Sequence, residues 1–131
     1  MIQLRTFLLG TDKTAAVKIY CIKVLKSTKT RIALIGDVIL ICINSVNMKK
    51  FIKLKGTVQK RFSVGTIHRA LVVRTKVNFM RMKYIYLKFN ENSAVIVSRN
   101  VVPLSNKVYG PILREFCMKW PSLGCVSTCI I

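Results

Sequence analysis

The sequence predicts an all-β domain with a minor α component: five or six short strands, closed or nearly closed into a small barrel, followed by a short C-terminal helix. Three observations carry this. The stretch 66–76 holds a core, Ala70-Leu71-Val72-Val73, that is apolar on both alternating faces and rich in β-branched residues, as a strand buried on both sides must be. Short apolar runs recur along the chain between turn-forming clusters. Cations gather at the ends of these runs: His68 and Arg69 before the apolar core of 66–76, Arg74 and Lys76 after it.

The elements follow in order. Residues 1–8 alternate loosely and read as a first strand, closed by the turn cluster Gly10-Thr11-Asp12-Lys13-Thr14. A second strand spans 17–25, with Tyr20, Ile22 and Val24 on one face and Ile19, Cys21 and Leu25 on the other. Residues 26–31 form a polar basic loop whose hydroxyls and cations suit phosphate oxygens. Gly36-Asp37 turns the chain into a third strand, 38–43. Residues 44–61 are a long basic segment carrying Lys49, Lys50, Lys53, Lys55, Lys60 and Arg61 and no acid. Part of it reads as a hairpin turning at Lys55-Gly56-Thr57. After 66–76, residues 77–88 interleave aromatics with Arg81, Lys83 and Lys88, and 94–97 is a short strand. Gly110-Pro111 breaks the chain, and 112–120 reads as a helix with Pro111 near its first turn, where a missing N–H costs least. Pro121 ends that helix. Residues 124–131 are an apolar tail without an assigned partner, so the domain is placed at 1–123.

Length and charge narrow the function. A chain of 131 residues suits one domain. Lys and Arg number 23 against 4 Asp and Glu, a net charge of +19. Such a chain repels itself, and a polyanion, nucleic acid or an anionic membrane surface, relieves that repulsion. The longest apolar run, 32–43, is broken by Gly36-Asp37 and falls short of the ~20 residues a membrane-crossing helix needs, so no membrane insertion is expected. No secretory signal or organellar presequence is visible, and Met1 reads as the start of the domain. Catalytic chemistry finds little to work with. His68 is the only histidine, and Asp12, Asp37, Glu91 and Glu115 are scattered beside turns or a helix start. The 5 cysteines include no Cys-x-x-Cys pair, which argues for reduced thiols rather than a zinc site. Neither an enzyme nor a cofactor is expected.

Together these motifs resemble the universal large-subunit ribosomal protein fourteen family. The resemblance rests on Met1-Ile2-Gln3, Thr6 and Asp12, on Cys21-Ile22-Lys23-Val24-Leu25, on Arg31, Ala33 and Gly36-Asp37, and on Gly65 with 70–76. Phe89, Asn92 and Val95-Ile96 extend it, as does 108–115. It departs where Lys13-Thr14-Ala15 replaces the family's Asn-Ser-Gly, where Lys83-Tyr84 replaces an Asp-Gly turn, and where the segment between Asp37 and Gly65 is lengthened. The resemblance implies a five-stranded barrel with a projecting hairpin and small C-terminal helices. It also implies a structural role at the intersubunit face of the large ribosomal subunit. The expected partners are large-subunit ribosomal RNA, small-subunit RNA across a bridge, neighbouring large-subunit ribosomal proteins three and nineteen, and a ribosome silencing factor. So divergent a sequence, starting at the family's own first residue without a presequence, looks like an organelle-encoded copy, mitochondrial first and plastid second. The residues expected to contact RNA phosphate are Lys13, Lys18, Lys23, Lys29, Arg31, Arg69, Arg74, Lys76, Arg81, Lys83, Lys107 and Arg114. The competing readings are a free single-strand-binding barrel of the OB type and a cationic protein lying on membranes through its apolar tail.

Overall fold

A computed structural model describes residues 1–25, 31–54, 56–82 and 84–131. Five strands close into a barrel in the order β1 (Phe7–Gly10), β2 (Ala16–Val24), β3 (Val38–Val46), β4 (Ile67–Arg74) and β7 (Ser93–Val97). Its neighbours pair antiparallel except at the closure, where β1 meets β7 in parallel through Leu9↔Ser93 and Gly10↔Ala94. The interior is dry. Leu8, Ile19, Cys21, Ile39, Ile41, Ile43, Ala70, Val72, Ala94 and Ile96 fill it in one cluster.

Leu71 and Val73 of β4, with Val95 and Val97 of β7, point the other way and are also buried. They meet a second apolar layer formed by β8 (Val108–Ile112), α3 (Arg114–Lys119) and α4 (Pro121–Val126), with Val108, Ile112, Leu113, Phe116 and Leu123 all buried. This explains why 70–73 is apolar at every position: β4 is the wall between two cores. Leu71, Val72 and Val73 each contribute about 1.5–3 kcal/mol by burial, far more than a solvated cation at the strand end.

The projecting hairpin is β5 (Phe79–Met82) and β6 (Ile85–Leu87). Tyr84 takes φ 79° at its turn, the left-handed conformation that the family's Asp-Gly would hold more cheaply. The lengthened basic segment departs from the hairpin expected there. Its described part forms two short helices, α1 (Met48–Lys53) and α2 (Thr57–Arg61). Asn47 Oδ1 caps α1 by accepting from the N–H groups of Lys49 and Lys50, at 3.1 and 3.4 Å. Phe62 is buried and Leu54 partly so against the barrel interior, so this excursion covers the barrel end where β2 starts. At the other end, a single bridge between Ile2 and Ala33 covers the opening. The N-terminal strand is accordingly shorter than expected and begins at Phe7.

The C-terminal region also differs in detail. Pro111 lies in β8 and not in a helix, and Pro121 opens α4 instead of only ending α3. The apolar tail has a partner: β9 (Ser127–Ile130) pairs in parallel with β8. The Ile131 N–H donates to Ile112 O, and Ile131 O accepts from the Arg114 N–H. Among the described residues no helix is long and apolar enough to cross a membrane.

Candidate nucleic-acid interface

The expected phosphate-binding cations fall into three groups. The first is spent inside the protein. Arg74 ends β4, and its side chain is only 5% exposed. Its Nη2 donates to Glu91 Oε1 at 2.7 Å, while Nη1 donates to Tyr109 O at 3.1 Å and Pro111 O at 3.2 Å. It therefore ties β4 to the 89–92 turn and to β8, and the expectation that it meets RNA phosphate is corrected. Gly110 permits this. It adopts φ 82°, and a Cβ there would stand 2.5 Å from Arg74 Nη1. Arg81 is half-buried and doubly committed. Nε and Nη2 fork onto Glu115 at 2.5 and 2.9 Å, and Nη2 also donates to Ile131 O at 2.7 Å. The guanidinium's hydrogen bonds hold the Glu115 carboxyl below its ordinary range and push Arg81 up. Arg81 thus fastens the hairpin to α3 and the tail.

The second group is exposed: Lys13, Lys18, Lys23, Arg31, Arg69, Lys76, Lys107 and Arg114. The strands place several of them together. Lys23 opposes Leu40, which opposes Arg69, so two cations lie two strands apart on the outer wall, about 10 Å by strand spacing. Lys18 and Lys76 line one cleft beside β1. Lys13 and Lys107 are joined through their backbones, the Lys13 N–H donating to Lys107 O at 2.9 Å. Arg114 stands apart from these at the start of α3, beside Met118. The third group, Lys29 and Lys83, lies outside the described residues.

Sequence reasoning placed Lys50 only within the basic segment and missed its pairing with Tyr109. The Lys50 ammonium lies 5.3 Å from the Tyr109 ring centre and the Lys107 ammonium 5.8 Å, so the ring face holds cations from two distant segments. Only the run of lysines after Asn47 hinted at this. His68 secures the same excursion. Its ring stacks on Phe62 at 5.4 Å. Its Nε2, 2.7 Å from Arg61 O, carries the hydrogen there, since a carbonyl only accepts. Burial pulls the His68 pKa below its ordinary value.

The acids serve structure. Asp12 is buried. It accepts from the Ile96 N–H at 3.1 Å and from the Thr14 hydroxyl, and burial raises its pKa despite those bonds. The turn 13–15 is thereby held by Thr14 in place of a glycine, and none of its residues has a positive φ. Asp37 accepts from the Leu34 N–H at 2.9 Å. Among the described residues, no three of His, Cys, Asp and Glu converge to hold a metal.

The profile of the family described as Ribosomal protein L14p/L23e matches residues 1–131. The chain belongs to that family. It is therefore a structural protein of the large ribosomal subunit and not an enzyme, with ribosomal RNA and ribosomal proteins as its partners. The match includes residues 124–131, which lie beyond the motifs that carry the resemblance. L14p/L23e membership also accounts for a charged exterior on a dry barrel: a ribosomal protein needs a rigid core and a skin that tolerates dense phosphate.

Proposed function

We propose that this L14p/L23e protein docks as a preformed barrel onto large-subunit ribosomal RNA, with Lys13, Lys18, Lys23, Arg31, Arg69, Lys76, Lys107 and Arg114 contacting phosphate. The observation that carries the reading is the imbalance between free and spent charge. Glu91 and Glu115 each hold one arginine, while these eight cations stay exposed. Ammonium and guanidinium groups on a rigid strand framework suit backbone contacts, which position a protein without reading sequence. RNA helices, with their shallow minor groove, favour such recognition of shape.

The family resemblance supports a finer assignment. The protein lies at the intersubunit face, contributes to a bridge with small-subunit RNA, touches ribosomal proteins three and nineteen, and offers a surface to a ribosome silencing factor. The chain's departures from the family pattern support an organellar ribosome, the mitochondrial one as first choice and the plastid one as second. Sedimentation of a tagged copy through a sucrose gradient tests the core of this. Co-migration with the large subunit at moderate salt, unaffected by detergent, is the expected result. Migration with lipid, or as a free protein that binds short oligonucleotides, contradicts it.

A further inference from the structure

A cleft of about 510 Å³ opens on the outer wall of the barrel, where β1 runs beside residues 90–92. Its lining mixes four kinds of chemistry. Phe7 and Leu9, alternate residues of β1, present apolar surface, Phe7 being 61% exposed. Tyr20 opposes Phe7 across the β1–β2 pair and meets its ring edge-on at 6.2 Å. Asn44, Asn90 and Asn92 supply amides, each able to donate and to accept. Asn92 is fixed in place, its Oδ1 accepting from the Lys76 N–H at 2.9 Å. Glu91 also lines the cleft, with Oε1 held by Arg74. Lys18 and Lys76 complete the wall.

A site for phosphate alone would not be built this way. Glu91 repels an anion, and neither the ring nor the amide carbonyls, which only accept, add anything for one. A ligand that uses every part of the lining has a flat apolar face, an edge carrying both donors and acceptors, and an anionic flank. A nucleotide has all three. The volume lies in the range of sites that enclose small ligands. Proteins recognise RNA sequence mainly where bases are splayed out, stacked on aromatic rings and hydrogen-bonded along their edges.

We propose that this cleft receives one unstacked nucleotide of the ribosomal RNA. The base lies against Phe7 and meets the amides of Asn44, Asn90 and Asn92, while the flanking phosphates lie on Lys18 and Lys76. The inference rests on the RNA-docking function proposed above and deepens it, since one point of the contact then reads a base as well as a backbone.

The test is ultraviolet crosslinking of the full chain bound to large-subunit ribosomal RNA, with the crosslinked peptides mapped and affinity measured in parallel. A nucleotide crosslinked to the peptide containing Phe7 is expected. Phe7→Leu, an exposed change that keeps apolar bulk, should abolish that crosslink and weaken binding about fivefold or more, the range for loss of one stacked base. The slope of affinity against salt should stay unchanged, because no phosphate contact is lost. Asn90→Ala, also exposed, should weaken binding with the same unchanged slope. Wild-type affinity in both variants, with no crosslink at residues 7–9, overturns the nucleotide site and leaves RNA docking standing. Failure of the wild-type chain to bind that RNA at low salt overturns the docking and this inference together.

Discussion

Arg74 and Gly110 act as one unit. The guanidinium crosses β8 because residue 110 has no side chain, and the positive φ at that residue is one that other amino acids resist. Gly110→Ala is expected to destabilise the fold by about 2–4 kcal/mol, combining left-handed strain with displaced hydrogen bonds of a buried charge. A denaturant midpoint measures it, and a change within error would show that Arg74 can be rehoused. The arginine's partners lie 17, 35 and 37 residues away in the chain. No local pattern separates such a residue from Lys76, which stays exposed two positions on. Lys and Arg at strand ends were therefore legible as a charged rim, but not as free or spent. His68 gives a second test at this scale. Its folded-state pKa is lowered, so its contribution is complete above the ordinary 6.5 and is lost as pH falls through the lower folded value. Wild-type stability should drop below about pH 6.5, and the drop should be absent in His68→Gln. An identical pH profile in the two proteins would remove His68 from the anchoring of α2.

Strands buried on one or both faces announced themselves, since alternation or unbroken β-branched runs leave few other readings. That is why β2, β3, β4 and β7 lie close to where residues alone put them. Short irregular elements did not. α1 and α2 are 6 and 5 residues long, too short to show a helical period, and the apolar residues that follow them, Leu54 and Phe62, are fixed by the barrel end and not by a local pattern. β9 depends on β8, and its pairing is invisible until both are placed. The hairpin carries the clearest prediction for an element. Tyr84 is 91% exposed and held at φ 79°, so its ring gives little back for the strain. Tyr84→Gly should stabilise the protein by about 1 kcal/mol, less the added entropy of glycine in the unfolded chain. A lowered denaturation midpoint would mean that the tyrosine ring supports the turn.

Across the whole molecule, two apolar cores share the β4–β7 wall in a chain of net charge +19. The cores make the barrel rigid before it meets a partner, while the few acids leave its charge to be matched from outside. The family and the barrel were both legible in the sequence, the first from ordered motifs and the second from strand patterning. The layout of the interface was not, because it depends on strand register, as with Lys23 and Arg69, and on contacts such as Lys50 with Tyr109. The most direct test is the affinity of the purified full chain for large-subunit ribosomal RNA, measured across a series of salt concentrations. Several phosphates neutralised by rigidly placed cations predict tight binding at low salt and a log–log slope steeper than about −3. Weak binding at low salt, or an affinity that barely changes with salt, would contradict the account.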